Sequence, residues 1–120
     1  MALVGEALRQ LLRKPATLKY PYQKLDLPEG FRGRPIWNIE ECIGCGLCSI
    51  VCPSGAIEMV GKGLDAEIRH FIDRCMFCGQ CAETCPKNAI EMSKEYELAG
   101  FDRLEMVREY TRTPEKVPSN

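Results

Sequence analysis

The chain has 120 residues, 45% hydrophobic and 28% charged, and its 16 Lys and Arg against 17 Asp and Glu leave a formal net charge of −1. That length bounds it to one small domain with extensions, and the even balance, with no basic block, excludes a polycationic nucleic-acid binder. No run of about 18 apolar residues occurs, so no segment is expected to cross a bilayer.

Residues 2–14 carry apolar side chains at Leu3, Val4, Ala7, Leu8, Leu11 and Leu12, with Glu6, Arg9, Arg13 and Lys14 between them. This spacing predicts an amphipathic helix that Pro15 stops. Charges interrupt the apolar run and no cleavage-like site follows, so a secretory signal is not expected. A helix with such a stripe either lies on a lipid surface, docks in a partner's groove or folds back on its own domain. The small size of the domain favours the first two.

Residues 15–35 hold Pro15, Pro21, Pro28, Pro35, Gly30 and Gly33 beside Tyr20, Tyr22, Phe31 and, just beyond, Trp37. Proline at that density excludes a long helix and predicts an extended strap. Its aromatics point to contact with a neighbouring subunit.

From Ile36 the chain repeats itself. Cys42-Ile-Gly-Cys45-Gly-Leu-Cys48-Ser-Ile-Val-Cys52-Pro53 returns, 33 positions on, as Cys75-Met-Phe-Cys78-Gly-Gln-Cys81-Ala-Glu-Thr-Cys85-Pro86, and each copy ends in Ala-Ile-Glu-Met. The two runs use all eight cysteines. Self-similarity of this kind predicts one β-α-β unit used twice about a pseudo-two-fold. The expected strands entering each run are Ile36–Ile39 and Ile68–Ile72, and those leaving are Ala56–Val60 and Ala89–Met92. A helical turn precedes each fourth cysteine. The Gly61–Ala66 joint predicts a hairpin between Ala56–Val60 and Ile68–Ile72.

The spacing C-x2-C-x2-C-x3-C-P is that of [4Fe–4S] ligation in bacterial two-cluster ferredoxins. Three cysteines at three-residue intervals can wrap one side of a cubane. The fourth lies past a helical turn, and in two-cluster ferredoxins it ligates the other cluster. On that pattern the first cluster takes Cys42, Cys45, Cys48 and Cys85, and the second takes Cys75, Cys78, Cys81 and Cys52. Three alternatives fit less well. Disulfides would leave crowded thiols without well-placed partners; structural zinc needs paired C-x2-C knuckles only; a redox C-x-x-C would be a lone pair. Cysteines kept for metal point to a reducing, cytoplasmic setting.

Gly46 and Gly79 follow the second cysteine of each run, where the turn around a cluster calls for a conformation that glycine reaches cheaply. Pro53 and Pro86 end the helical turns. Ile43, Met76, Ile57 and Ile90 are placed to keep water off the clusters, which is one lever on reduction potential. His70, the only histidine, alternates with Ile68 and Ile72 and is expected to be a strand residue and not a ligand. Leu98, Phe101, Leu104 and Val107 at three-residue spacing predict a second helix over 94–110, weakened by Gly100, and 111–120 reads as a mobile tail. The chain thus divides into residues 1–35 (helix and docking strap), 36–93 (two-cluster domain) and 94–120 (helical extension and tail). The fold class is α+β. No Ser/His/Asp set, phosphate loop or open metal site is evident, so catalysis by this chain alone is not expected.

The two cysteine runs resemble the bacterial-type two-[4Fe–4S] ferredoxin fold. Leu18-Lys-Tyr20-Pro21, Phe31-Arg32-Gly33-Arg34-Pro35 and Ile72-Asp73-Arg-Cys75-Met-Phe-Cys78-Gly79 resemble a more particular group. It is the two-cubane subunit of respiratory complex I and its relatives, the group 4 membrane-bound [NiFe] hydrogenases and other ferredoxin-driven complexes. The resemblance implies that the chain relays single electrons through two clusters, held through partner subunits on the cytoplasmic side of a membrane. Those partners are a neighbouring cluster-bearing subunit, a large catalytic subunit and a membrane arm. Only 22 residues separate Cys52 from Cys75, fewer than complex I proper leads one to expect. This favours the hydrogenase-like or sulfur-reducing relatives, with soluble ferredoxin as donor. The alternatives are a subunit of an NADH-quinone oxidoreductase proper and a free-standing soluble ferredoxin. The extensions, which a diffusing shuttle does not need, speak against the latter.

Overall fold

In a computed structural model, residues 2–112 are described. The N-terminal apolar stripe forms helix α1, Ala2–Leu11, which ends ahead of Pro15 as the fixed proline φ requires. Leu3, Val4, Leu8 and Leu11 on it are all more than half exposed. The molecule measures 70 × 31 × 23 Å with a radius of gyration of 20.3 Å, against about 14 Å for a compact chain of this length.

Two small antiparallel sheets follow. β1 (Pro35–Trp37) pairs with β4 (Ile90–Met92), Trp37 opposite Ile90. β2 (Ile57–Val60) pairs with β3 (Glu67–Phe71), Ile57 opposite His70 and Met59 opposite Ile68. This is the expected hairpin, closed by the glycine-rich joint and a 3₁₀ turn at Gly63–Asp65. Alternation decides which side chains turn inward: in β3, Ile68 and His70 are buried while Glu67 is exposed. Helices α2 (Leu47–Val51) and α3 (Gln80–Glu83) pack on each other and on the strands that follow them. The core is Trp37, Cys48, Ile57, Ile68, Cys81 and Ile90.

The helix predicted over 94–110 does not form. That stretch runs without regular structure to a 3₁₀ turn at Leu104–Met106 and then becomes β5, Val107–Tyr110, which joins the second sheet beside β3. The apolar spacing misled because Asp102 accepts a bond from the Leu104 N–H at 3.0 Å, a local bond that competes with helix. The ladder to β3 and the packing of Tyr110 against Trp37 (ring centroids 5.1 Å apart) fix the rest as strand. Phe101 and Leu104 are left exposed.

The strap meets its own chain, where contact with a neighbour was expected. Gly33 N–H donates to Ser93 and Arg34 N–H to Glu95. Arg34 pairs with Glu95, Lys24 and the Tyr20 hydroxyl with Glu97, and Phe31 meets Tyr96 edge to face. The tail beyond residue 112 lies outside the described residues. The whole is a small mixed helix and sheet fold of the ferredoxin-like kind.

Candidate cluster sites

The loops that carry the cysteines are shaped by backbone conformations the sequence encodes. Gly46 and Gly79 take φ of +79° and +80°, just before α2 and α3, which glycine adopts without the Cβ penalty. Gly44 takes +63° and lies so close to Gly63 that any Cβ would collide with that residue's carbonyl. At the matching place in the second run, Phe77 takes φ of +53°.

None of the eight cysteines is in a disulfide. They surround two separate recesses. Cys42, Cys45, Cys48 and Cys85 line one of about 330 Å³, together with Trp37, Ile43, Met59 and Ile90. Cys52, Cys75, Cys78 and Cys81 line the other, of about 350 Å³, together with Ile57, Met76, Phe77 and Met92. Each recess therefore draws three cysteines from one run and the fourth from the other. All four apolar residues named as water shields stand on these walls. Ile57 and Ile90 are buried, while Ile43 and Met76 are exposed and shield little.

Backbone N–H groups point at the sulfurs: Ala56 to Cys52 and Ala89 to Cys85 at 3.3 Å, and Gly44 to Cys42 at 3.5 Å. Burial pushes the thiols of Cys48 and Cys75 up from their ordinary value, and that of Cys81 to about 11. Burial acts the same way at Cys52, but the Ser54 hydroxyl and the N–H groups of Ala56 and its neighbours outweigh it and hold that thiol low. Buried thiols that resist ionisation call for strong positive charge to hold them as thiolates, which iron supplies.

Trp37 gives a second test of fit. It is 4% exposed and stands on the wall of the first recess with its indole N–H toward the Cys48 sulfur, outside close hydrogen-bond geometry. A buried donor directed at a ligand sulfur suits a sulfur-rich anionic site, where it disperses negative charge. Among the described residues no three His, Cys, Asp or Glu side chains converge closely enough for a single metal ion; the thiols ring a space and do not meet at a point.

His70 lies in β3 as expected. It is fully buried against Trp37 (centroids 5.1 Å apart), and neither ring nitrogen has a hydrogen-bond partner among the described residues. Burial, and then the nearby Arg34 charge, lowers its pKa to about 4, so it is neutral. Sequence reasoning missed Trp37 as a wall of the first recess, because an aromatic on a strap reads as a surface anchor. It also missed two arginines, Arg32 and Arg112, which reach the cysteine loops from the extensions. No local signal marks an arginine whose partner is a backbone carbonyl far along the chain.

Residues 41–89 match the 4Fe-4S dicluster domain family. The chain is 46% identical to the chloroplastic NAD(P)H-quinone oxidoreductase subunit I of Acorus calamus, over 78% of this chain and 56% of that protein. It is 48% identical to that of Citrus sinensis, over 82% and 64%. To NADH-quinone oxidoreductase subunit I of Protochlamydia amoebophila it is 47% identical over 42% and 35%. The chain spans about half the length of the curated relatives it matches. Among solved structures it resembles a chain of the membrane-bound sulfane sulfur reductase, an archaeal respiratory membrane complex. There the TM-score is 0.67 and the identity 32%, over 84% of this chain and 56% of the other. With the cysteine geometry, these likenesses identify the guests as two [4Fe–4S] clusters, and over most of its length the chain is similar to the iron–sulfur subunits of complex I-like complexes.

Proposed function

We propose that the chain relays single electrons within a membrane-attached oxidoreductase of the complex I-like kind. The observation that carries this is the composition of the two recesses, four cysteines each on otherwise largely apolar walls. We assign Cys42, Cys45, Cys48 and Cys85 to one cluster and Cys75, Cys78, Cys81 and Cys52 to the other, on a core of two β-α-β units related by a pseudo-two-fold.

When bound, each cluster takes up and gives back one electron. The chain's own residues do the rest. The thiolates fix position, the N–H groups of Gly44, Ala56 and Ala89 disperse charge on the sulfurs, and the apolar walls limit water. Residues 36–93 hold the clusters. Residues 1–35 are the docking region, since α1 projects an apolar stripe that no described residue covers. Among the described residues no helix is long and apolar enough to cross a membrane. The attachment we propose is therefore peripheral, on the cytoplasmic side, through a neighbouring cluster-bearing subunit, a catalytic subunit and a membrane arm.

The short segment between the cysteine runs and the likeness to the sulfane sulfur reductase chain favour a sulfur-reducing or hydrogenase-type complex fed by soluble ferredoxin. The identity to NAD(P)H-quinone oxidoreductase subunit I supports the second reading, a quinone-reducing complex. Identifying the proteins that leave the membrane with the chain separates the two: a nickel-bearing or sulfur-reducing large subunit supports the first, a quinone module the second. Elution of the chain alone from solubilised membranes overturns both.

The crossed ligation is tested by Cys85→Ser. The EPR signal of the reduced cluster on Cys42–Cys48 should be lost or altered, with iron falling from about eight per chain toward four. Loss of the signal from the Cys75–Cys81 cluster instead would end the crossed assignment.

A further inference from the structure

Each extension sends one guanidinium to one cysteine loop. Arg32, in the strap before β1, donates to the Cys78 carbonyl at 2.6 Å and packs over Gly79, its Nε 3.6 Å from where a Cβ would stand. Arg112, after β5, donates to the carbonyls of Ile39, Glu40 and Cys42 at 3.0, 3.3 and 2.6 Å. Cys42 and Cys78 belong to different three-cysteine runs, so the two arginines address different recesses. Neither arginine belongs to the repeated unit, and 80 positions separate them.

We infer that Arg32 and Arg112 are positioning residues that raise the reduction potential of one cluster each, so that the extensions set the electron affinity of the relay. The inference rests on the reading that each three-cysteine run holds a cluster; it does not depend on where the fourth cysteine goes. The reason is electrostatic. Reduction adds one negative charge to an already anionic site, and a fixed positive charge beside the loop favours the reduced form. Bonding to a cysteine's own carbonyl holds that charge in place and also fixes the peptide plane from which the neighbouring sulfur hangs.

The two arms are unequal. Both side chains are exposed to solvent, but Arg32 also lies 3.4 Å from Glu83, which offsets part of its charge. Arg112 spreads over three carbonyls, and none of the ion pairs found among the described residues involves it. The effect of Arg112 should be the larger.

The test is an EPR-monitored redox titration of the full chain reconstituted with iron and sulfide, with iron content measured alongside. Wild type should hold about eight irons and show two midpoints; far fewer irons would end the two-cluster reading itself, whatever the arginines do. Arg112→Gln should lower one midpoint severalfold in the one-electron equilibrium constant, where tenfold corresponds to about 59 mV. Arg32→Gln should lower the other midpoint by less, and Arg32→Lys and Arg112→Lys, which keep the charge, should stay near wild type. The inference is overturned if a Gln variant with full iron leaves both midpoints in place, or if both variants move the same one. Where a Gln variant costs iron, the Lys variant decides: a midpoint held at wild type supports the electrostatic role, and one that falls overturns it.

Discussion

The two recesses share their thiols and the Gly, Pro, Ile and Met walls that the repeat supplies, and differ in what the rest of the chain adds to each. The first, at Cys42, Cys45, Cys48 and Cys85, is walled by Trp37, whose N–H faces the Cys48 sulfur, and clamped from outside by Arg112. Its loop bends at Gly44, which is wedged against Gly63. The second, at Cys52, Cys75, Cys78 and Cys81, has the Ser54 hydroxyl near the Cys52 sulfur (3.6 Å), a phenylalanine where the first has Gly44, and a half-neutralised Arg32. A duplicated sequence therefore supplied two equivalent sets of thiols, and the surroundings then made them inequivalent. For the electron relay proposed above this matters, because two clusters in identical surroundings would have no gradient between them, and polarity, charge and hydrogen bonding are the levers that separate potentials.

The largest way to break the comparison is at the matched bends. Gly44→Ala places a Cβ into the Gly63 carbonyl at a positive φ, and should cost more than about 2 kcal/mol of stability with loss of iron at the first site. Phe77→Ala, at the corresponding point, loses only part of a half-buried ring in a conformation the backbone already tolerates, and should retain both clusters. Iron content and denaturant midpoints of the two variants check this. If the two lose iron equally, the bends are equivalent and the asymmetry drawn here is wrong.

His70 makes the side of the core near Trp37 sensitive to acid. Its folded pKa of about 4 lies below the ordinary 6.5, so as pH falls the unfolded chain takes the proton first. Its stability contribution is complete above pH 6.5 and is lost progressively between about 6.5 and 4, by about 3 kcal/mol at most. His70→Phe removes a titrating group that has no partner to lose and should flatten that part of the profile. Denaturant titrations of both proteins across this range, compared pH by pH, would show it; parallel profiles would mean that the loss has another source.

The smallest effect sharpens the contrast at the first recess. Trp37→Phe keeps an aromatic wall and removes the N–H beside Cys48. The midpoint that responds to Arg112→Gln should fall slightly, while the one that responds to Arg32→Gln stays put. A shift in the second alone would mean that the indole serves the other cluster.

How much of this could be read from residues alone differs by element. The hairpin of β2 and β3 was legible because its signals are local: alternating apolar residues on either side of a glycine-rich joint. The bends at Gly46 and Gly79 were legible because a positive φ has one cheap residue. The stretch 94–110 was not. Its three-residue apolar spacing is also compatible with a chain that turns at Asp102 and adds Val107–Tyr110 as a third strand, and only the open edge of β3 decided between them. The strap's aromatics read as anchors for another subunit, yet Phe31 and Tyr20 found Tyr96 and Glu97 of the same chain.

What the sequence determined by itself was the chemistry: eight thiols at a spacing that admits few guests, because ligation is a matter of residue type and short-range geometry. What only the tertiary structure decided was the company each set keeps, such as Trp37 brought beside Cys48 and arginines 80 positions apart delivered to Cys78 and Cys42. Contacts of that kind join residues with no periodicity between them, and they exist only once packing has chosen which segments lie together.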